Sequence, residues 1–198
     1  MSEKFKIIGL SGTNGAGKDS VGALLATHFN YYFFSLTELF RAECRKRGIP
    51  ITRENTRMVS EEWRREFGPA VVIERSMQAF QDVGGYNKYD GFVMSSLRHP
   101  AEADRLHQLG GTVIWVDADP RLRYDRIQAA AAIRNRAGED NRTFAQFLKE
   151  QEDEMHAPKD GDAASLNMSA VKDRADVSII NNNTPDELLA KLHNLLQV

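Results

Sequence analysis

The 198-residue chain is short of the features that mark several protein classes. It has one cysteine, Cys44, so no disulfide forms within it and a reducing compartment is the default. With Phe40 and Arg47 as helical neighbours, Cys44 reads as a packed residue and not as a nucleophile. No apolar run approaches the length that crosses a bilayer, and the opening Met-Ser-Glu-Lys lacks the apolar core of a signal peptide. We therefore expect a cytoplasmic protein without membrane contact. An excess of charge is missing too: 26 Lys and Arg stand against 28 Asp and Glu, a net charge of −2. That balance gives no electrostatic reason to expect nucleic acid as a partner. A small-molecule partner and a monomer are expected instead.

What is present is enough for one sizeable core, with 41% of residues hydrophobic. Short β-rich runs, Phe5 to Leu10, Tyr31 to Ser35, Gly91 to Ser95, Thr112 to Val116 and Val177 to Ile180, alternate with helical stretches. This is the pattern of an α/β fold, a five-stranded parallel sheet with helices on both faces, in one domain over residues 1–198. Between the second and third strands, residues 36–81 read as three helices broken at Gly48-Ile49-Pro50 and Gly68-Pro69. That excursion is too long for a simple crossover and reads as a subdomain covering a substrate. Between the last two strands come an alanine-rich helix, an arginine-rich turn within residues 133–142, and a helix from Thr143 to Met155. The stretch from Ala157 to Ala170 follows, readable as a mobile loop or as a passive insertion. Pro185 opens a final helix whose leucines are core packing.

The sharpest local signal is Gly12-Thr13-Asn14-Gly15-Ala16-Gly17-Lys18, placed between the apolar Phe5, Ile7, Ile8, Leu10 and the helical face Val21, Leu24, Leu25, His28, Phe29. G-x-x-x-x-G-K between a strand and a helix is the P-loop, whose N–H groups and lysine wrap a nucleotide's phosphates at a helix N-terminus. The usual Ser or Thr after the lysine is replaced by Asp19, with Ser20 next. Asp19 is a hard oxygen donor suited to Mg²⁺ and equally an acid favoured by the helix dipole; both readings stand. Ligands of open parallel sheets bind at the carboxyl ends of the strands. Arg41, beyond the second strand, and Arg98, beyond the third, should then face the P-loop crevice, where their bidentate forks suit an acceptor's phosphate. Arg134 and Arg136, in a Gly-flanked turn, are candidates to close over the transferring phosphoryl group, or form a solvated cluster with Glu139 and Asp140. Asn181, Asn182 and Asn183 after the fifth strand suit a base edge or an ordinary turn.

The G-K-D-S variant of the loop resembles that of phage-type deoxynucleoside monophosphate kinases and some phosphomevalonate kinases. Ser35-Leu36-Thr37-Glu38-Leu39-Phe40-Arg41 resembles the Ser-Thr-Gly-Asp-Leu-Leu-Arg segment of nucleoside monophosphate kinases, with Ser35, Leu39 and Arg41 matching, Glu38 in place of Asp, and Leu36, Thr37 and Phe40 departing. In that family the arginine binds the acceptor's phosphate. Arg98 and Glu102 match the Gly-x-Arg-x-x-x-Glu of an archaeal dephospho-CoA-kinase-like group, which the chain resembles over nearly its whole length. Asp119-Pro120-x-x-Arg123-x-x-Arg126-Ile127 resembles the helix whose arginine lies against adenine, with Arg126 at the matching position and Arg123 the weaker candidate. The resemblance implies a P-loop kinase that uses ATP and Mg²⁺. The nucleotide would be held by Gly12 through Ser20, Arg126, Asn181 and Asn182, and the acceptor by Ser35, Glu38, Arg41 and Arg98. Lys18, Arg134 and Arg136 would be catalytic, with Asp19 on the metal. A phosphorylated acceptor such as a nucleoside monophosphate needs no general base, whereas the ribose hydroxyl of dephospho-CoA benefits from one. Only Glu38 stands near the position of such a base in the segment after the second strand. A third reading is a nucleotide-dependent switch, for which Asn87-Lys88-Tyr89-Asp90 fits the guanine-selective string by spacing but precedes the third strand.

Overall fold

The computed structural model describes residues 6–134, 142–157 and 161–196. Five strands, β1 (Lys6–Gly12), β2 (Tyr31–Ser35), β3 (Gly91–Ser95), β4 (Thr112–Asp117) and β5 (Val177–Ile180), form one sheet in the order β2-β3-β1-β4-β5. All pairs are parallel. The helices are α1 (Lys18–Phe29), α2 (Leu36–Arg47), α3 (Arg53–Phe67), α4 (Val71–Asp82), α5 (Pro100–Gln108), α6 (Pro120–Arg134), α7 (Phe144–Met155), α8 (Met168–Lys172) and α9 (Pro185–Leu196).

Side chains alternate across the sheet, so its two faces feed two cores. Ile8, Leu10, Val93, Ile114, Val116 and Ile179 pack against Val21 and Leu25 of α1 and Leu188, Leu192 and Leu196 of α9. Ile7, Phe92, Met94 and Val113 face the other way, onto Leu36, Phe40, Trp63, Val72, Ile73, Phe80 and Leu106 from α2 to α5. The three expected helices of the excursion are present, with Gly48 ending α2 in the left-handed region (φ 67°) and Thr52 capping α3 by accepting from the Asn55 N–H. Cys44 is fully buried in that core, where burial pushes its thiol pKa up.

The stretch expected to be loose is a packed segment in its described part. Ala164, Ser165, Leu166 and Met168 are buried, α8 is helical, and Asn167 N–H donates to the Arg98 carbonyl at 3.1 Å. Its polar composition hid three apolar anchors and two ties, Asp162 to Arg65 at 2.6 Å and the Ala163 carbonyl to His99 Nε2 at 2.9 Å.

One buried ion pair fastens α3 to the end of β3. Arg64 and Glu102 are 2% and 0% exposed in their side chains, with Nη2 to Oε1 at 2.7 Å. Ser60 Oγ accepts a further Arg64 bond, while Glu102 Oε2 accepts from the N–H groups of Arg98 and His99, capping α5. Removing one partner leaves the other charge buried and unpaired, a loss of about 3–5 kcal/mol. Glu102→Ala is therefore expected to lower unfolding free energy by about that amount in a urea titration, and a loss under about 1 kcal/mol would contradict the account.

Candidate active site

The P-loop follows from its backbone. Gly12 (φ 136°) lies against the Val116 carbonyl, and at Gly15 (φ 79°) a Cβ would come within 2.6 Å of the Arg123 carbonyl oxygen. Only glycine permits both conformations and both approaches. The loop is held from behind by β4, α6 and the end of β5. Thr13 Oγ1 donates to Asp117 Oδ1 at 2.7 Å, Asn181 Nδ2 donates to the Ala16 carbonyl at 2.8 Å, and Arg123 Nη1 to the Asn14 carbonyl at 3.3 Å. Arg123 is 1% exposed and also donates to the Ala118 carbonyl at 2.9 Å. Its guanidinium is committed to bracing the loop, so it is not placed to lie on a base. Asn181 likewise spends its amide on the loop, while Asn182 Oδ1 accepts from the Asp119 N–H.

On the open side of the loop is a cleft of about 870 Å³ lined by Asn14, Gly15, Gly17, Lys18, Asp19, Ser20 and Arg126. Arg126 Nη1 donates to the Asn181 carbonyl at 2.9 Å. Lys18 Nζ donates to the carbonyls of Gly12 and Thr13 at 2.8 and 2.9 Å. Its pKa is pushed down to about 8, first by burial and next by the charge of Arg98, against the opposing pull of Asp19 and Glu154.

Across from the loop, Ser35, Glu38, Arg41 and Arg98 line the same cleft. Arg41 Nη1 donates to Glu38 Oε1 at 2.7 Å, and Arg45 is 3.5 Å from the other oxygen. Burial pushes the Glu38 carboxyl up, but these two arginines more than offset it and hold it below the usual carboxylate range. Ser96, at the end of β3, has φ 79°, a left-handed conformation uncommon for a non-glycine residue, and it too lines the cleft.

Asp19 Oδ1 accepts from Ser95 Oγ at 2.8 Å at the mouth of the phosphate loop. A carboxylate beside serine hydroxyls is a hard-oxygen donor set that fits Mg²⁺ brought in with nucleotide phosphates. Among the described residues no cluster of three or more His, Cys, Asp or Glu suits a metal without such a ligand.

Several cleft residues escaped the sequence reading. Arg53, Glu54 and Arg57 come from the start of α3, and Glu150, Asp153 and Glu154 from α7. Nothing in the sequence sets their charges apart from those of a solvated helix face; the packing of both α3 and α7 along the cleft reveals them. Arg142 is buried at 8% exposure, paired with Glu150 and 5.3 Å above the Phe147 ring. Arg134 ends α6, and Arg136, with the rest of the turn 135–141, lies outside the described residues. The string Asn87 to Asp90 sits at the opposite, amino-terminal edge of the sheet, where Asp90 N–H donates to the Asn30 carbonyl.

The sequence pattern of the AAA domain family matches residues 8–154, from β1 to the end of the cleft's α7 wall. A UPF0200 protein of Methanothrix thermoacetophila is 30% identical over 144 residues, 69% of this chain and 70% of that one. The chain belongs to the AAA domain family and to the UPF0200 proteins. Another UPF0200 protein, from Pyrococcus horikoshii, is 27% identical over 195 residues, 96% of this chain and 95% of that one. Among solved structures, a shikimate kinase from Acinetobacter baumannii in complex with shikimate shares the fold, with TM-score 0.53 and 18% identity over 98% of this chain and 95% of that one. The P-loop kinase fold expected from the sequence is the observed one. Among the described residues no helix is long and apolar enough to cross a membrane.

Nucleotide phosphates favour the charged form of Lys18 and raise its pKa in the complex, so binding takes up a proton wherever the unbound lysine is neutral. Since the unbound pKa is about 8, ATP affinity is expected to be level below that pH and to fall above it. The fall approaches about tenfold per pH unit in a titration from about pH 7 to about pH 10, and Lys18→Arg flattens it. The same slope in both proteins would contradict the assignment.

Proposed function

We propose that the chain is an ATP-dependent phosphotransferase that moves the γ-phosphoryl group to a nucleoside or deoxynucleoside monophosphate. The observation that carries this reading is the convergence of Arg41, from α2, and Arg98, from beyond β3, on the cleft that holds Lys18. In this reading the P-loop and Lys18 grip the donor's phosphates, and Arg126 flanks the donor nucleotide. Asp19 would hold Mg²⁺, directly or through water, and the ion would offset part of the negative charge of the donor's phosphates. Helices α2 to α4 form the acceptor-binding subdomain, and Ser35 and Glu38 orient the acceptor, Glu38 by fixing Arg41. Phosphoryl transfer needs positioning and charge stabilisation more than covalent help from the protein, which suits a cleft built from paired charges.

A hydroxyl acceptor, as in dephospho-CoA kinases, is the second reading. Glu38 is a poor base for it, because Arg41 and Arg45 hold its carboxyl low. The observation in its favour is the row of carboxylates, Glu150, Asp153 and Glu154, that α7 lends to the cleft.

A panel of nucleoside monophosphates and dephospho-CoA, assayed for ATP-dependent phosphorylation, separates the two. With a monophosphate as acceptor, Arg41→Ala and Arg98→Ala are each expected to lower its kcat/KM by roughly tenfold to a hundredfold, the loss of a charge-assisted bond worth about 1.5–3 kcal/mol. ATP binding should change less than about twofold, and the double variant should fall short of the product of the single effects, because both arginines hold one group. Phosphorylation of dephospho-CoA alone, with both variants unimpaired, would overturn the monophosphate reading.

A further inference from the structure

Glu154 grips neither nucleotide nor acceptor in the reading above, yet it sits at the centre of the cleft's positive charge. Its Oε1 is 3.3 Å from Arg53 Nη1 and 3.5 Å from Arg98 Nη1, so two guanidiniums from different elements share one oxygen. One turn earlier on α7, Glu150 Oε2 is 3.3 Å from the same Arg53 Nη1 and is itself held by buried Arg142. Burial pushes the Glu154 carboxyl up, but Arg98 foremost, then Arg53, Lys18 and Arg142, hold it below its ordinary range. A fixed carboxylate thus stands where an incoming phosphate would meet Arg98.

We propose that Glu154 determines which anions the acceptor side of the cleft takes: it is an internal counter-ion for Arg53 and Arg98 that a doubly charged phosphomonoester displaces and a singly charged anion does not. The claim rests on the kinase reading only in taking Arg98 as the arginine that meets the acceptor. A tethered group acts at an effective concentration on the order of millimolar. A free carboxylate or phosphodiester with the same single charge therefore gains nothing by exchange until its own concentration rivals that value. A phosphomonoester brings about twice the charge to the same two guanidiniums and three terminal oxygens in place of two. Exchange is sterically open to the extent that Arg53, Arg98 and Glu154 are 34%, 31% and 20% exposed in their side chains, with Glu154 in the last turn of α7 at the cleft wall. The carboxylate also opposes uncompensated positive charge in the cleft, so that Arg98 has a partner before and after exchange. Neutral acceptors would leave Glu154 in place and meet a site already filled.

The probes are inorganic phosphate, largely dianionic near pH 8, and dimethyl phosphate, a monoanion, titrated onto the full chain. The readout is the Nε–H resonances of Arg53 and Arg98. The wild-type chain is expected to bind phosphate at least about tenfold more tightly than dimethyl phosphate, and Glu154→Gln to bind both more tightly with the ratio narrowed below about threefold. Glu154→Asp, which keeps the charge, should keep the ratio, and Glu154→Ala serves as a second neutral variant should the glutamine form fold poorly. An unchanged ratio in the neutral variants, or weaker phosphate binding by them, overturns the proposal. So does a drop in kcat at unchanged KM for a hydroxyl acceptor in Glu154→Gln, which would make Glu154 a general base. A Glu154-dependent ratio in a chain that phosphorylates no monophosphate would reject the kinase reading and leave this one standing.

Discussion

The phosphate loop keeps its shape because three side chains hold it from behind. Asp117 takes the Thr13 hydroxyl, Asn181 the Ala16 carbonyl and Arg123 the Asn14 carbonyl. These ties come from the ends of β4 and β5 and from α6, elements fixed by the sheet order, so the loop inherits the rigidity of the core. With its carbonyls and Thr13 engaged at the back, the loop presents its open side and Lys18 to the cleft. The cost of that arrangement falls on Lys18, a cation kept among protein atoms and near Arg98. A polyphosphate would relieve this cost by favouring the charged lysine.

The opposite wall follows the same electrostatic rule. Arg41 is matched by Glu38, Arg53 and Arg98 by Glu154, Arg142 by Glu150, and Arg64 by Glu102. The pairs differ in depth. Arg64 and Glu102 are sealed in the core and locate the Arg98 backbone, whereas the pairs of Arg53 and Arg98 with Glu154 are partly exposed on the cleft wall. Arg41 lies between these extremes, with its side chain 11% exposed on the cleft wall.

Much of the fold was legible because local and global signals agree. β2, β3 and β5 begin and end where the β-rich runs do, since each is bounded by turn or polar residues. β1 runs on to Gly12 because Leu10, Ser11 and Gly12 keep pairing with Ile114, Trp115 and Val116, a register that no single strand discloses. The placement of Ser35, Glu38, Arg41 and Arg98 on one cleft with the P-loop followed from the rule for strand ends. Glu154 did not, because an acid on an amphipathic helix looks the same whether it faces water or arginines, and the path of α7 is set by tertiary contacts such as those of Phe147 with Tyr124 and Arg142. Arg123 and Asn181 were legible as residues of the site but not as braces, since bracing depends on backbone carbonyls that a sequence does not display.

The central claim is that the braced loop and its lysine transfer a phosphoryl group to an acceptor, beyond binding or hydrolysing nucleotide. The direct measurement is the fate of labelled γ-phosphate when ATP, Mg²⁺ and a mixture of nucleoside monophosphates are incubated with the wild-type chain and with Lys18→Ala, both first shown to melt alike. The account predicts label on an acceptor with the wild-type chain and almost none with the variant. Label released only as inorganic phosphate, or equal transfer by both proteins, would contradict it.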